Sequence, residues 1–243
     1  MPTLEVCFTP ELYKYKHTTE NHSVIIVDVL RATTAMCSAL HNGVKAIIPV
    51  SEIEDLKKFK KMGYLVASER DGIKPDFADF GNSPLTFINN KYKNEIIAYS
   101  TTNGTQAINI IKEEAETIYI GAYTNISILT NYLIKHNQNV VIVCSGWKQK
   151  FSLEDTIIAG AYCDFFINKI KYYSICDSST AALDLWKIAK NNLLLYVEKC
   201  IHKNRLKILY LDDCIEYCFT ADINPVIPKL NNGMIKNILI NNL

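Results

Sequence analysis

The sequence lacks several features that mark whole classes of protein. Its 26 basic and 25 acidic residues leave a net charge of +1, so no excess of positive charge indicates a nucleic-acid partner. No apolar run approaches the length needed to cross a bilayer. The residues from Met1 to Glu5 lack the basic and apolar regions of a secretory signal. We therefore expect a cytoplasmic protein that binds neither nucleic acid nor membranes.

Familiar cofactor and metal motifs are also missing. The sequence contains neither G-x-x-x-x-G-K-[ST] nor G-x-G-x-x-G, which excludes a P-loop and a dinucleotide fingerprint. Its eight cysteines form no C-x-x-C, since Cys214 and Cys218 are four positions apart. We expect reduced, mostly buried thiols. The five histidines are scattered and indicate no zinc site; they are His17, His22, His41, His136 and His202.

Short apolar runs alternate with helical patterns over the first two thirds of the chain. Strands are predicted at residues 4–8, 24–28, 46–50, 64–67, 95–100, 117–121 and 140–144. Helices are predicted at 34–42, 106–114 and 124–132, from Ser51 as N-cap with Glu54 at the capping-box position, and from about Leu153. Such alternation predicts an α/β fold of three layers, α/β/α, with a mostly parallel sheet.

The last third of the chain has a different pattern. We predict helices at 165–173, 178–189 and 193–200, an acidic helix start at 212–218, and an extended stretch at 225–228. Without a low-complexity linker, one domain over 1–243 is expected, with lobes at about 1–93 and 94–243. An offset of 72 residues aligns Val27 with Tyr99 and Ile48 with Ile120. This spacing fits either an internal duplication or the ordinary length of a βαβ unit.

One strand end concentrates groups that suit an anion. Four apolar residues lead to Asp28, Arg31 follows, and Thr33 and Thr34 open a helical pattern. In open α/β sheets ligands bind at the carboxyl ends of the strands, and helix N-termini favour phosphate. The alternative is a strand whose last polar residues only cap a helix.

Other predicted strand ends carry similar groups, which a parallel sheet would gather at one edge. They are Glu69, Arg70, Thr101, Thr102, Asn103 and Cys144, with Asn82 and Ser83 from a loop. Arginines offer bidentate contacts to anions, and carboxylates among oxygen donors suit magnesium rather than zinc. For each residue the alternative is cap or turn chemistry alone.

Two established phosphatase mechanisms do not match the sequence. A haloacid dehalogenase pattern needs a second Asp two residues after the first, where this chain has Leu30. A cysteine phosphatase loop needs Arg six positions after its Cys, and Cys144 is followed there by Lys150. Cys144 is therefore either a candidate nucleophile of another kind or a small core residue.

The chain resembles the 2-phosphosulfolactate phosphatase (ComB) family in a series of motifs in the family's order. They are residues 27–34, Glu69-Arg70, 81–84, 101–105, Cys144-Ser145-Gly146, 153–155 with Ala159-Gly160, and 213–218 with Asp222 and 226–228. The resemblance implies a magnesium-dependent phosphatase that converts 2-phospho-3-sulfolactate into 3-sulfolactate on the route to coenzyme M. It also agrees with a small anionic phosphorylated substrate and allows a homodimer.

We carry the site residues over from these motifs. The catalytic candidates are Asp28, Arg31, Glu69 and Cys144. The substrate-binding candidates are Thr33, Thr34, Arg70, Asn82, Ser83, Thr101, Thr102, Asn103, Gly104 and Ser145. The candidate metal ligands are Asp28 and Glu69, then Glu154 and Asp155, although acidic residues are favoured in a first helical turn by the dipole alone. Whether Asp28 is a ligand, a base or a nucleophile is open.

The sequence departs from the family pattern at a few positions. Asp71 replaces a small residue, Ser145 a usual alanine, and Thr86 a commonly acidic residue, while the loop at 147–150 is bulkier and more basic. The departures at Asp71 and Ser145 leave the exact substrate open but not the fold, and the loop at Trp147 allows another phosphorylated acid. The alternatives are a phosphatase for another phosphorylated small acid, or a binding or regulatory protein that keeps the anion pocket without turnover.

Overall fold

The computed structural model describes residues 1–19, 21–169 and 172–239, and ten strands in these ranges form one sheet. Apolar runs supply the central strands, whose two faces are both buried. The strands are β1 Thr3–Cys7, β2 His22–Val27, β3 Ala46–Pro49, β4 Leu65–Ser68, β5 Ile96–Ser100, β6 Thr117–Gly121, β7 Asn139–Cys144, β8 Tyr173–Ser174, β9 Pro228–Asn231 and β10 Met234–Asn237.

Helices cover the sheet and occupy most of the last third of the chain. They are α1 Ala32–His41, α2 Ile53–Lys61, α3 Gly104–Ile111, α4 Ile126–Lys135, α5 Leu153–Lys169, α6 Asp177–Ala189, α7 Leu193–Val197, α8 Ile201–Ile208 and α9 Ile215–Cys218. Short 3-10 helices lie at Pro10–Tyr15, Pro84–Phe87, Tyr123–Asn125 and Lys190–Asn192. In the described ranges, no helix is both long and apolar enough to span a bilayer.

The sheet is mostly parallel, which confirms the predicted α/β fold. Its order is β4-β5-β3-β10-β9-β6-β2-β7-β1-β8. Six neighbouring pairs are parallel and three are antiparallel. The antiparallel pairs all involve the β9–β10 hairpin, which joins a parallel group of three strands to a parallel group of five.

The hairpin sets the direction of one parallel group relative to the other. Three successive antiparallel pairings make the two parallel groups run in opposite senses along the hydrogen-bond ladder. Helix α1 is buried from Ala32 to Leu40, and one core cluster joins it to Ile26 of β2, Ile47 of β3 and Ile97 of β5. The two groups therefore pack on a shared helix, and the twist of the sheet turns their strands relative to one another.

Several predicted boundaries are wrong. Glu52, not Ser51, occupies the N-cap position of α2, and no side chain caps that helix. Residues 165–169 of the helix predicted at 165–173 are the end of α5, residues 170–171 lie outside the described ranges, and Tyr173–Ser174 is a strand paired with β1. The sequence patterns also missed α8 and the β9–β10 hairpin. The hairpin is hard to predict because its strands have four residues each and its register is set by partners distant in sequence.

Candidate active site

Asp28 lies where β2 meets α1, and its side chain is buried. The carboxylate oxygen Oδ1 accepts the Ala32 backbone N–H at 3.2 Å. The backbone carbonyl of Asp28 accepts the Thr33 N–H at 3.0 Å and the Thr33 hydroxyl at 2.9 Å. This turn of hydrogen bonds fixes the carboxylate against the first turn of the helix, where the dipole favours an anion.

Two acidic side chains from different elements act on Asp28. Burial raises the pKa of Asp28 to about 7, although the hydrogen bond from the Ala32 N–H opposes the shift. The negative charges of Glu69, after β4, and Glu154, in the first turn of α5, raise this pKa further. The structure therefore concentrates negative charge at one place, which an added cation would relieve.

Glu69 links the ends of β4 and β5. Its carboxylate accepts the Gly72 N–H, and Oε2 accepts the Thr102 hydroxyl at 3.3 Å and the Thr102 N–H at 3.5 Å. Only 8% of Glu69 is exposed. A buried carboxylate held in this way keeps a defined position, as a ligand-binding group requires.

Arg31 brings a buried positive charge to the same place. Its Nη1 donates to the Leu211 carbonyl at 3.4 Å and lies 4.0 Å from the Cys214 sulfur. Its Nε is buried and has no hydrogen-bond partner among the described residues. A buried guanidinium with an unused donor is costly unless a ligand completes its hydrogen bonds.

These side chains border a small cleft. It is lined by Asp28, Leu30, Arg31, Glu69, Gly72, Asn82, Asn103, His202 and Leu206. Its volume of about 10 Å³ holds roughly one water molecule. The ends of both parallel groups therefore meet here, although the ladder sets them in opposite senses.

Polar atoms at three predicted substrate-binding positions have no partner within the described part of the chain. Asn82 Oδ1, Ser83 Oγ and Ser145 Oγ are buried and unpaired, and Asn82 also lines the cleft. Asn103 lines the cleft as well, and its Oδ1 accepts the Lys148 N–H at 2.9 Å. Unpaired buried polar atoms are uncommon in folded proteins and indicate a missing ligand or water.

The predicted threonines make mostly local hydrogen bonds. The Thr34 hydroxyl donates to the Val29 carbonyl at 2.9 Å, and Thr101 Oγ1 accepts the Thr105 N–H at 3.3 Å. With Thr33, these residues shape the turns at the helix starts. Gly104 completes the second turn, because a Cβ there would lie 3.1 Å from Asp28 Oδ2 and 2.8 Å from Ala32 Cβ. Direct contact of these residues with a substrate stays a prediction.

Arg70 connects the ends of neighbouring strands by hydrogen bonds and is not among the residues that line the cleft. Its Nη2 donates to the Ser100 hydroxyl at 2.7 Å and to the Ser51 carbonyl at 3.2 Å, and its Nη1 donates to the Glu69 carbonyl at 2.7 Å. Burial lowers the pKa of Arg70. Its hydrogen bonds position Glu69 by holding the segment that follows β4.

Cys144 and Asp155 lie behind the cleft. Cys144 is fully buried, and burial raises the pKa of its thiol well above the usual value, with the charge of Asp155 adding to the effect. Such a thiol is protonated at neutral pH, an environment that disfavours a nucleophile. Asp155 accepts the Val29 N–H at 2.9 Å through Oδ1 and the Gly146 N–H at 3.1 Å through Oδ2. It thereby holds together the loops that follow β2 and β7.

The described residues contain no group of three or more His, Cys, Asp or Glu side chains that could hold a metal by itself. Asp28 and Glu69 are the two carboxylates that line the cleft. Protein sites for Mg²⁺ often supply one or two carboxylates and complete the coordination with water and phosphate oxygens. The donor set is therefore compatible with a magnesium ion that shares its ligands with a phosphate ester.

Sequence reasoning missed the contribution of α8. Its residues His202 and Leu206 complete the wall of the cleft. Burial lowers the pKa of His202 to about 4, and the positive charges of Arg205 and Arg31 lower it further. The imidazole is therefore neutral at neutral pH. The sequence holds no signal for this placement, because α8 lies about 170 positions from Asp28 and its polar pattern resembles that of a surface helix.

Comparisons with known proteins find one family of enzymes. The family model of 2-phosphosulpholactate phosphatase matches residues 7–233. Relatives named "probable 2-phosphosulfolactate phosphatase" occur in Caldanaerobacter subterraneus, 36% identical over 218 residues, and in Thermotoga maritima, 35% identical over 215 residues. Each alignment covers 88% of this chain, and 90% and 92% of the respective relative. A relative of that name in Clostridium acetobutylicum is 33% identical, covering 89% of this chain and 92% of its own length.

Proposed function

Because the chain belongs to the 2-phosphosulpholactate phosphatase family and is thus a phosphoric monoester hydrolase, we propose that it hydrolyses 2-phospho-3-sulfolactate to 3-sulfolactate and phosphate with Mg²⁺ as cofactor. One observation carries the proposal. A buried arginine with an unused donor and two buried carboxylates line a single cleft. This combination suits the phosphoryl group of an anionic ester together with a cation.

Arg31 binds the phosphoryl group in this proposal. Its unpaired Nε gains an anionic acceptor, and the bonds of Nη1 to Leu211 and Cys214 hold the guanidinium in place. Asn82 and Asn103 supply further polar groups at the cleft wall. A chain with a net charge of only +1 needs such local concentration of positive charge to bind a substrate with several anionic groups.

Asp28 and Glu69 are the proposed ligands of Mg²⁺. Burial raises the pKa of Asp28, and the negative charges of Glu69 and Glu154 raise it further, which supports a cation at this place. When bound, Mg²⁺ neutralises charge on phosphoryl oxygens and orients water. Glu154 is a further candidate, while both oxygens of Asp155 already accept backbone N–H groups.

The hydrolysis needs one water molecule for each ester. Its oxygen forms a bond with phosphorus, the bond between phosphorus and the ester oxygen breaks, and the alkoxide of 3-sulfolactate takes up a proton. The chain positions these participants by holding the phosphoryl group on Arg31 beside a cleft with room for roughly one water molecule. His202 and Leu206 keep bulk water away from that position.

The proposal is tested by phosphate release from 2-phospho-3-sulfolactate and from other phosphorylated small acids. We expect turnover of 2-phospho-3-sulfolactate that EDTA abolishes and added Mg²⁺ restores. Turnover that survives EDTA would refute the magnesium requirement. If no ester in the panel releases phosphate with Mg²⁺ present, the assignment as a phosphatase fails.

Replacing Asp28 by Asn tests the centre of the site. The substitution keeps the shape of the side chain but removes an anionic ligand, so we expect turnover to fall by at least about a hundredfold. Circular dichroism should show an unchanged fold. Asp76→Asn is the matched control, because Asp76 is exposed and outside the cleft. Full activity in D28N would remove Asp28 from the mechanism.

A further inference from the structure

A second and much larger cavity, here called the side chamber, lies next to the cleft. It is formed by the loop from Trp147 to Ser152, the start of α5 and the start of α8, and its volume is about 450 Å³. Cavities of this size suit small organic molecules. The loop that borders it is bulky and basic, with Trp147, Lys148 and Lys150.

The lining of the side chamber combines apolar surface with positive charge. Trp147, Phe151 and Ile201 contribute apolar groups, while the cations of the lining come from Lys150, Lys199 and Arg205. Within the described ranges, the hydrogen bonds of Lys150 involve only its backbone, with Trp147. The chamber therefore offers an apolar body and an anionic group separate places to bind.

Arg205 is held in position before any ligand arrives. Its guanidinium carbon lies 4.8 Å from the centre of the Trp147 ring, and its Nη2 is 3.6 Å from Asp71 Oδ1. Its Nη1 is buried and has no partner within the described part of the chain. A stacked arginine with an unused N–H is well suited to a carboxylate or a sulfonate.

His202 separates the side chamber from the cleft, because it lines both cavities. Glu154 also lines the side chamber, and its charge acts on Asp28. A ligand that passes His202 therefore reaches Arg31 in the cleft with one anionic group and Arg205 in the side chamber with another. The cleft alone has too little room for the carbon skeleton of a phosphorylated acid.

We propose that the side chamber lets the chain bind a second class of substrate, with an acid group held by Arg205 and Lys150 and an apolar body held by the apolar lining. The chain then accepts phosphorylated 2-hydroxy acids with a bulky apolar substituent on C3. The position assigned to the phosphoryl group rests on the proposed function. The binding of the acid itself does not, which allows the two to be tested apart.

The first experiment measures binding without any ester. 3-Phenyllactate, an acid with an aromatic body, is titrated into the intact protein while tryptophan fluorescence is recorded. We expect saturable quenching by 3-phenyllactate at concentrations at least about tenfold below those needed for lactate, because the ring buries apolar surface. Trp147→Phe should remove the signal. Equal affinities for both acids would overturn the proposal.

Charge variants test the two cations. Arg205→Gln should weaken binding of 3-phenyllactate about tenfold or more, the usual effect of losing a hydrogen bond to a charged group, and Arg205→Lys should recover part of the loss. Lys150→Gln should weaken binding a few-fold, because its side chain is exposed. Lys207→Gln is the control, since this exposed lysine of α8 does not line the chamber. Unchanged binding in R205Q refutes the role of Arg205.

The second experiment compares turnover of 2-phospho-3-phenyllactate and 2-phospholactate in the presence of Mg²⁺. We expect a lower KM for the phenyl compound, and R205Q should raise this KM more than it lowers kcat. If 3-phenyllactate binds but no ester is hydrolysed, the chamber stands and the proposed function fails. If 2-phospho-3-sulfolactate is hydrolysed but 3-phenyllactate does not bind, the proposed function is supported and the proposal for the side chamber fails.

Discussion

At the scale of single residues, the site depends on a glycine, Gly104, that leaves room beside the carboxylate of Asp28. Gly104 begins α3 directly against Asp28, and α1 begins at Ala32 on the other side of that carboxylate. The lack of a side chain at Gly104 lets both helix starts face one carboxylate. Two sets of helix N–H groups thereby contribute positive potential at the place where an anionic ester is proposed to bind.

Replacing Gly104 by Ala should separate the two helix starts. The new Cβ would lie 2.8 Å from Ala32 Cβ and 3.1 Å from Asp28 Oδ2, so the backbone must shift. We expect a loss of about 1–3 kcal/mol in the free energy of unfolding and at least about a tenfold fall in kcat/KM. Urea denaturation and phosphate release measure the two effects. Gln106→Ala, at an exposed position of α3, should change neither quantity. Wild-type stability and activity in G104A would contradict the close contact described here.

At the scale of elements, α5 connects the site to the periphery of the fold. Its first turn carries Asp155, which holds the loops after β2 and β7, and its middle packs closely on α6. The closest point of that packing is at Gly160, where a Cβ would lie 2.0 Å from the Ala182 carbonyl oxygen and 2.8 Å from Trp186 Cβ. The two helices can pack this closely because residue 160 has no side chain.

Gly160→Ala should therefore destabilise the protein even though alanine is the better helix former. The overlap with the α6 backbone requires the helices to move apart, and we expect a loss of about 3 kcal/mol in the free energy of unfolding. The midpoint of urea denaturation measures it. Asn168→Ala, at an exposed position of the same helix, should change the stability by less than about 0.5 kcal/mol. A stability equal to that of the wild type in G160A would contradict the packing described here.

At the scale of the whole molecule, the fold joins two parallel strand groups through an antiparallel hairpin and packs both on α1. Chain segments far apart in sequence then share one cleft: the loops after β2 and β4, the start of α3, and α8. The cleft is closed by α8, which places His202 between Arg31 and Arg205 and keeps the imidazole from becoming protonated until the pH is well below neutral.

The position of His202 predicts an acid-sensitive stability. Its pKa is lowered from 6.5 to about 4 in the folded protein, so below pH 6.5 the unfolded chain binds a proton that the folded protein does not. Stability should fall as the pH decreases from about 6.5 to about 4, by up to about 3 kcal/mol. His202→Gln should reduce this loss in urea denaturation measured across that range. His41→Gln, at an exposed position of α1, is the control, and an unchanged pH profile in H202Q would refute the assignment.

Much of the central fold could be predicted from local patterns. The apolar runs that became β2, β5, β6 and β7 are long enough to be recognised, and Gly and Asn after α1 mark its end correctly. The patterns failed where partners distant in sequence decide, as in the short strands β8, β9 and β10. The capping box expected at Ser51 failed for a different reason, because helix α2 begins one residue later than the motif requires.

The sequence by itself determined the family, the α/β class and the polar strand ends at Asp28 and Glu69, because these depend on residue order and local periodicity. Only the tertiary structure decided that Arg70 braces the sheet, that Cys144 is buried, and that α8 closes the cleft beside a side chamber. The physical reason is that burial, charge coupling and cavity shape depend on which distant segments pack together. The antiparallel hairpin sets the two strand groups in opposite senses, yet both pack on α1, and residues that follow β2 and β4 line one cleft.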